Sequence, residues 1–275
     1  CRYLEAHNPI SAIIAENTYV QKDGKKVGFD GFWSSSLTDS TMMGKPDNES
    51  VEISQRLLGV NQIFDVTSKP LIFDADTGGK IEHFEMKIKS IERLGISSVI
   101  IEDKTGLKKN SLLENTTNQT QEDKRKFAEK IMAGKKAQAS DEFMIIARIE
   151  SLIANRGMQD ALTRANAYID AGADGIVIHS KEKDGNEIIE FCSNYNSFKQ
   201  KVPLFVIPTT FCHIKESEFA KLGINVVIYA NQLLRSAYTP MVDTAMSILE
   251  NKRSFESNHI CLPIKEILKL IPMDK

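Results

Sequence analysis

Two aspartates stand two residues apart at the end of the apolar run "PLIFDAD" (70–76). Alternation along a strand puts Asp74 and Asp76 on one side of it. Carboxylates that close repel each other unless a cation or a shared proton relieves them, so a hard divalent ion, magnesium, is the economical expectation. The next apolar run, "SSVIIED" (97–103), ends on Glu102 and Asp103. Strands in a sheet lie about 5 Å apart, which lets Glu102 reach the same ion or its waters. As plain structure these acids would be surface charges or helix caps, and Asp76 ahead of "TGGKIE" reads equally well as an N-cap.

A guanidinium near the end of an apolar strand is costly unless it grips an anion, and Arg148 in "IIARIES" has that place. Its plainer reading is a buried pair with Glu150. His179 in "IVIHSK" ends the following run and, beside Arg148, would give a phosphoryl oxygen a second hydrogen bond. In "WSSSLTDS" the hydroxyls and main-chain N–H groups of Ser34, Ser35, Ser36 and Leu37 can cradle carboxylate or phosphate oxygens, or simply make a serine-rich turn. Trp33, the single tryptophan, is by default core, yet its position just before those serines lets a substrate pack on it.

The segment "DKTGLKKNSLLENTTNQTQ" shows no clear apolar period, which in a compact barrel favours a lid over about 103–120. Gly106 would hinge it, and Lys108 and Asn110 would bring a cation and an amide donor over an anionic substrate while water is excluded. The alternative is a solvated charged loop.

These residues need a scaffold that gathers strand ends. Eight short Val- and Ile-rich runs alternate with amphipathic stretches: 11–17, 29–36, 70–76, 97–103, 143–150, 174–180, 202–210 and 224–231. Helical patterns such as "KIEHFEMKIKSIERLG", "MQDALTRANAYIDAGADG" and "QLLRSAYTPMVDTAMSILEN" lie between or after them. The pattern predicts an α/β fold, a (β/α)8 TIM barrel forming a single domain over 1–275, whose functional face is the C-terminal ends of the strands. An open doubly wound sheet competes, but no Gly-rich phosphate fingerprint follows the first run. The tail "CLPIKEILKLI" (261–271) reads as an additional amphipathic helix that caps the barrel or packs on another subunit.

Composition narrows the partners. With 275 residues, 41% of them hydrophobic, the chain can bury one large core. A net charge of −2 offers no basic field for nucleic acid. Cys1, Cys192, Cys212 and Cys261 lack metal-ligand spacing and read as reduced thiols of a cytoplasmic protein. No apolar stretch is long enough to span a bilayer, and "CRYLEAHNPIS" lacks a signal-peptide layout, so the sequons at Asn48, Asn115 and Asn118 carry little meaning. Opening on Cys1 rather than methionine, the chain is compatible with being one part of a longer, fused polypeptide.

The ordered set "WSSSLTDS", "GKPDNES", "FDADTGG", "EDKTGLKKNS", "IIARIES" and "DGIVIHSKEKD" resembles the phosphoenolpyruvate mutase family of the isocitrate lyase superfamily, along nearly the whole chain. The lid motif is its most specific element. The resemblance implies a barrel whose last helix is exchanged with a neighbour in a homodimer or homotetramer. It implies magnesium held directly by Asp74 and largely through waters by Asp76 and Glu102. Ser35, Asn110, Arg148 and His179 would hold the phosphoryl group, with Ser111 counted among the substrate-binding residues, and the main chain at Ser36–Leu37 would hold the carboxylate. Asp47 would lie beside the migrating phosphoryl, although it also reads as the N-cap of a helix beginning near Glu49. Lys108 would close with the lid.

The implied reaction interconverts phosphoenolpyruvate and phosphonopyruvate. Its equilibrium favours phosphoenolpyruvate in the family, so net phosphonate synthesis implies a downstream decarboxylase. Phosphonopyruvate hydrolase shares most of these residues, and Asn110 in the lid tips the reading toward the mutase. A carbon–carbon lyase of the superfamily would carry a cysteine in K-[KR]-C-G-H where this chain has "GLKKNS". Cys212 in "TTFCH" reads as packing. A non-catalytic barrel that only binds a phosphorylated acid would have no need of so many buried charges.

Overall fold

The computed structural model describes residues 1–106, 108–111 and 120–271. The chain enters its sheet earlier than the apolar runs predict: the first strand is β1 (Arg2–Glu5), in "RYLE". The 11–17 run, expected as a strand, is instead most of helix α1 (Pro9–Asn17). Local chemistry overrides the apolar run there. The Asn8 side chain accepts from Ser11 N–H at 2.8 Å, Ser11 Oγ accepts from Asn8 N–H at 3.0 Å, and Pro9 supplies a helical φ at the first position.

After α1 comes an antiparallel hairpin of β2 (Tyr19–Lys22) and β3 (Lys25–Gly28). The expected barrel strands follow: β4 (Gly31–Ser34), β5 (Leu71–Asp74) and β6 (Ser98–Glu102). A second small ladder, β7 (Lys104–Thr105) with β8 (Thr120–Gln121), closes the base of the 103–120 segment. Then come β9 (Met144–Ile149), β10 (Gly175–Ile178), β11 (Leu204–Val206) and β12 (Ile224–Tyr229). Eight parallel strands close in the order β1-β4-β5-β6-β9-β10-β11-β12, with β12 returning to β1. This is the (β/α)8 barrel expected.

Helices alternate with the strands: α2 (Ser36–Met42), α3 (Ile53–Phe64), α4 (Ile81–Arg93), α5 (Lys124–Ala137), α6 (Met158–Asp170), α7 (Asn186–Tyr195) and α8 (Glu216–Lys221). The longer ones bury one stripe. In α4, Phe84, Ile88 and Ile91 repeat at helical spacing and are wholly buried, each contributing roughly 1.5–3 kcal/mol.

The barrel interior explains the site. Trp33, Ile72, Ile100, Ile146, Val177, Phe205 and Ile228 form one buried cluster. Period-two alternation puts the residue two positions further along each strand on the same inward face, one layer nearer the mouth. Those residues are Asp74 after Ile72, Glu102 after Ile100, Arg148 after Ile146 and His179 after Val177. Glu102 and Arg148 are register partners across β6 and β9.

Contacts divide the chain into two compact units, Cys1–Asn231 and Gln232–Lys275. The first is the barrel. The second carries α9 (Gln232–Asn251), a 3-10 turn (Glu256–His259) and α10 (Ile264–Leu270). The predicted tail helix is thus shorter than 261–271, starting after Pro263. No side chain of α9 or α10 is buried, and Tyr238, Met241, Leu249, Ile264 and Leu268 are exposed. No helix among the described residues is long and apolar enough to cross a membrane.

Candidate active site

One pocket opens at the mouth of the barrel, and every predicted site residue except Ser34 and Asp76 lines it: Trp33, Ser35, Ser36, Leu37, Asp47, Asp74, Glu102, Lys108, Asn110, Ser111, Arg148 and His179; Ser34 Oγ instead donates to Asp39 Oδ2 at 2.7 Å. Ile207, Thr209, Ala230 and Asn231, from the ends of β11 and β12, complete the lining and were not anticipated. The apolar pair, Ile207 and Ala230, follows from the same inward alternation along those strands.

On the wall built by β4 and β5, acids face a lysine. Strand β5 ends at Asp74, and Asp76 sits in the turn beyond it at φ 55. Gly78, two residues on, also takes a positive φ, 75, and a Cβ there would come within 3.0 Å of the buried Phe84 ring. Asp74 Oδ2 accepts from Ser36 N–H at 3.2 Å and Ser36 Oγ at 2.9 Å, while its Oδ1 accepts from Asp76 N–H at 3.1 Å. Burial works against ionisation of Asp74, but Lys108, Arg56, Arg148 and the Ser36 N–H hold its carboxyl below the ordinary value. Asp76 goes the other way, raised by burial and by Asp74 despite Lys108. Asp76 is not a helix cap, since α4 is capped at Lys80.

Lys108 reaches down into this wall. Its Nζ donates to Ser36 Oγ at 2.7 Å, to Asp47 Oδ1 at 2.8 Å and to Asp76 Oδ1. Burial opposes its charge, yet Asp76, Asp74, Glu102 and Asp47 outweigh it and push the ammonium above its usual range. Asn110 Nδ2 donates to the other Asp47 oxygen at 2.8 Å. Asp47 therefore meets two residues of the lid motif. It caps no helix, because α3 begins at Ile53 with Glu52 as its N-cap. Of the expected lid, Leu107 and residues 112–119 lie outside the described residues; Gly106, the expected hinge, has φ 80.

Sequence reasoning missed Arg56, on which this wall rests. Its guanidinium donates from Nε to Asp39 Oδ2 at 2.8 Å, from Nη1 to Asp76 Oδ2 at 3.3 Å and to Asp74 O, and from Nη2 to Ser34 O at 3.3 Å. It also lies over the Phe73 ring, 4.3 Å from its centroid. A signal existed: Arg56, Val60 and Ile63 form the buried stripe of α3 at helical spacing, so the arginine interrupts an apolar face.

The opposite wall is built by β6, β9 and β10. Arg148, its side chain 12% exposed, donates from Nε to Glu150 Oε1 and from Nη2 to Ser111 Oγ at 3.2 Å. The plainer sequence expectation, a pair with Glu150, is thus what the side chain makes. Glu150 is fully buried and also accepts from Ser111 Oγ at 2.8 Å, with Lys104 Nζ 3.2 Å away. Burial alone would raise Glu150, but Arg148, Lys104 and His179 hold it well below the usual carboxylate range. His179 is lowered by burial first and Arg148 second.

Behind this wall, Asp103 is a second unanticipated support. Its Oδ1 accepts from Glu150 N–H at 2.9 Å; its Oδ2 accepts from Tyr168 Oη at 2.7 Å, Gln121 Nε2 at 2.9 Å and Arg164 Nη1 at 3.1 Å. Burial pushes the Asp103 carboxyl up to about 6 against Arg164.

Glu102 stands between the walls. Among the described residues its buried Oε1 has no hydrogen-bond partner, Lys104 Nζ being 3.5 Å away, and Arg148 Nε lies 3.5 Å from Oε2. Burial, opposed by Lys104 and Arg148, raises this carboxyl to about 7. Trp33 Nε1, also buried, has no hydrogen-bond partner among the described residues either. Among the described residues no three His, Cys, Asp or Glu side chains are grouped as a metal shell. Lys108 supplies the positive charge among the acids.

Comparison with known proteins gives one family across the barrel. The family model described as phosphoenolpyruvate phosphomutase matches residues 1–249. A phosphoenolpyruvate phosphomutase of Tetrahymena pyriformis is 35% identical over 268 residues, covering 97% of this chain and 85% of the relative. The crystal structure of a phosphoenolpyruvate phosphomutase from Streptomyces platensis subsp. rosaceus superposes with a TM-score of 0.89 at 32% identity, covering 98% of this chain and 89% of that one. A phosphonopyruvate hydrolase crystallised with oxalate and Mg++ gives a TM-score of 0.86 at 33% identity, with the same coverage of 98% and 89%.

Proposed function

The chain belongs to the phosphoenolpyruvate phosphomutase family, and from that premise we propose that it is an isomerase interconverting phosphoenolpyruvate and phosphonopyruvate. In the forward direction the bond from phosphorus to the enol oxygen breaks, a carbon–phosphorus bond forms at the methylene carbon, and the enol oxygen becomes a ketone. No co-reactant is consumed. Such a transfer runs through a loose transition state in which positioning and electrostatics do most of the work.

Arg148, with its planar fork of donors, suits the phosphoryl oxygens, with His179, Ser35, Asn110 and Ser111 around the same group. The main chain at Ser36–Leu37 would take the carboxylate, although Ser36 N–H faces Asp74 in the free site. Trp33 offers a face to the substrate. Asp47 would stand beside the transferring phosphoryl, and Lys108 would keep the lid segment down and water out.

The residues fit a magnesium ion. Asp74, Asp76 and Glu102 are hard oxygen donors, and the orphaned Glu102 Oε1 is a buried carboxylate oxygen that needs a partner. Bound by them, the ion would supply positive charge where the pyruvate enolate develops negative charge. The relative crystallised with Mg++ and oxalate supports this reading.

The observation that carries the mutase reading is that Lys108 and Asn110, both from the lid motif, meet on Asp47 at 2.8 Å each, beside Ser36. Two lid-motif residues held on the site favour returning the phosphoryl group to the same pyruvate rather than giving it to water. Hydrolysis to pyruvate and phosphate is the second reading, favoured by the likeness to the hydrolase. Phosphorus NMR of phosphonopyruvate incubated with the protein and magnesium distinguishes them: phosphoenolpyruvate is the expected product, and inorganic phosphate supports the rival. Turnover by Asp47→Ala and Asp74→Ala beside the parent separates catalysis from mere binding.

The exposed apolar side chains of α9 and α10 support a further part of the reading, one barrel domain whose tail is exchanged between subunits of a homodimer or homotetramer. A cytoplasmic enzyme feeding a decarboxylase completes it. Sedimentation of the full chain tests the assembly, with a single monomeric species counting against it.

A further inference from the structure

His179 faces a conflict that its own ring cannot resolve. Its Nδ1 lies 2.8 Å from Glu150 Oε1 and 2.8 Å from Arg148 Nη2. A guanidinium nitrogen only donates, an ionised carboxylate only accepts, and one ring nitrogen carries either a proton or a lone pair. Only one of the two contacts is a hydrogen bond at a time.

The surroundings favour Glu150. It stays an anion through the neutral range, held there by Arg148, Lys104 and His179 against its burial. A ring N–H donating to a carboxylate is charge-assisted, the stronger class of bond. Arg148 Nη2 has another acceptor in Ser111 Oγ at 3.2 Å. With the proton on Nδ1, a neutral ring carries only a lone pair on Nε2. A sulfonate or a fully ionised phosphoryl group only accepts, so Nε2 can bond its oxygens only after gaining a proton of its own.

We propose that Glu150 is a positioning residue that fixes His179 Nδ1 as a donor, so that binding the phosphoryl end of the substrate draws a proton from solvent onto Nε2. The inference rests on the phosphoryl-transfer reading above. The charged groups acting on the ring are Arg148 and Lys104, which oppose the imidazolium, and Glu150, which favours it. An incoming anion joins Glu150 and draws Arg148 toward itself. The free ring, lowered by burial and Arg148, is neutral near pH ~7.5 and has room to take the proton. Glu150 thereby serves two groups, orienting the guanidinium and setting the charge of the histidine.

The test uses sulfopyruvate, whose sulfonate does not titrate near neutrality, and oxalate, which lacks that end. Both are titrated calorimetrically into the full-length protein with magnesium, in buffers of different ionisation enthalpy. Sulfopyruvate is expected to bind with uptake of about one proton per site and oxalate with uptake smaller by that amount. Glu150→Gln keeps the shape but not the charge; it should abolish the difference and weaken sulfopyruvate about tenfold more than oxalate. Nitrogen-15 spectra of labelled histidines, with His179 identified by His179→Gln, should show Nδ1 protonated in the free wild-type protein and both nitrogens protonated with sulfopyruvate. Sulfopyruvate binding with no extra proton, or a free ring protonated on Nε2, overturns the inference while leaving the phosphoryl-transfer reading intact. Failure of sulfopyruvate to bind at all overturns both.

Discussion

The two walls of the mouth handle charge in opposite ways. On the β4–β5 wall, the acids Asp47, Asp74 and Asp76 gather around the single ammonium of Lys108, with Arg56 beneath them. On the β6–β9–β10 wall, the carboxylate of Glu150 is shared by Arg148, His179, Ser111 and Lys104. The first wall is short of positive charge and suits a cation. The second has donors to spare and suits an anion. A substrate with an enolate at one end of its reacting bond and a phosphoryl at the other meets complementary charge on both sides.

Breaking the donor-rich wall should have the largest effect. Arg148→Lys keeps the charge but loses the planar fork, and kcat/KM is expected to fall about a thousandfold, measured by phosphoenolpyruvate formation. A fall of less than about tenfold would mean that the charge alone suffices and the wall is less specific than its geometry suggests. Asp103→Asn acts one layer behind, disturbing the bonds from Tyr168, Gln121 and Arg164. Stability should drop by about 2–3 kcal/mol in denaturant titration, with a far smaller loss of kcat/KM than Arg148→Lys gives.

The acid wall is probed by its metal. Asp74→Asn should raise the magnesium concentration for half-maximal activity about ten- to a hundredfold. Because Glu102 is raised to about 7 and an ion needs the carboxylate, wild-type magnesium affinity should strengthen as pH rises toward and through about 7. Flat affinity from pH ~6 to ~8 would remove Glu102 from the metal shell. The smallest effect sharpens the other wall. His179 is depressed in the folded protein, so its contribution to stability is present above its unfolded value, about 6.5, and is lost as pH falls through the folded value. As pH falls below ~6.5, wild type should lose more stability than His179→Gln does, measured by denaturant titration.

The walls were not equally legible in the sequence. Asp74, Glu102, Arg148 and His179 each end an apolar run, two residues beyond a core side chain, so strand alternation alone carries them to the mouth. Lys108 and Asn110 have no such periodicity and stand out only as a cation and an amide donor in an aperiodic segment, while Asp47 rests on motif resemblance. Asp103 looks like an ordinary flanking acid, and Glu150 is legible only as a partner of Arg148, because their other supporting contacts are with residues far away in the chain. The barrel was legible as eight alternating runs, yet its first strand was not. "RYLE" has too little apolar character to announce itself, while "SAIIAEN" is a short apolar run that periodicity cannot assign and Asn8 and Pro9 make a helix.

The central claim is that a charge-divided mouth passes the phosphoryl group between oxygen and carbon of one pyruvate without giving it to water. Phosphonopyruvate turned over with magnesium in oxygen-18 water, followed by phosphorus NMR, tests it most directly. The account predicts phosphoenolpyruvate whose phosphoryl group carries no solvent oxygen; labelled inorganic phosphate as the main product would contradict it.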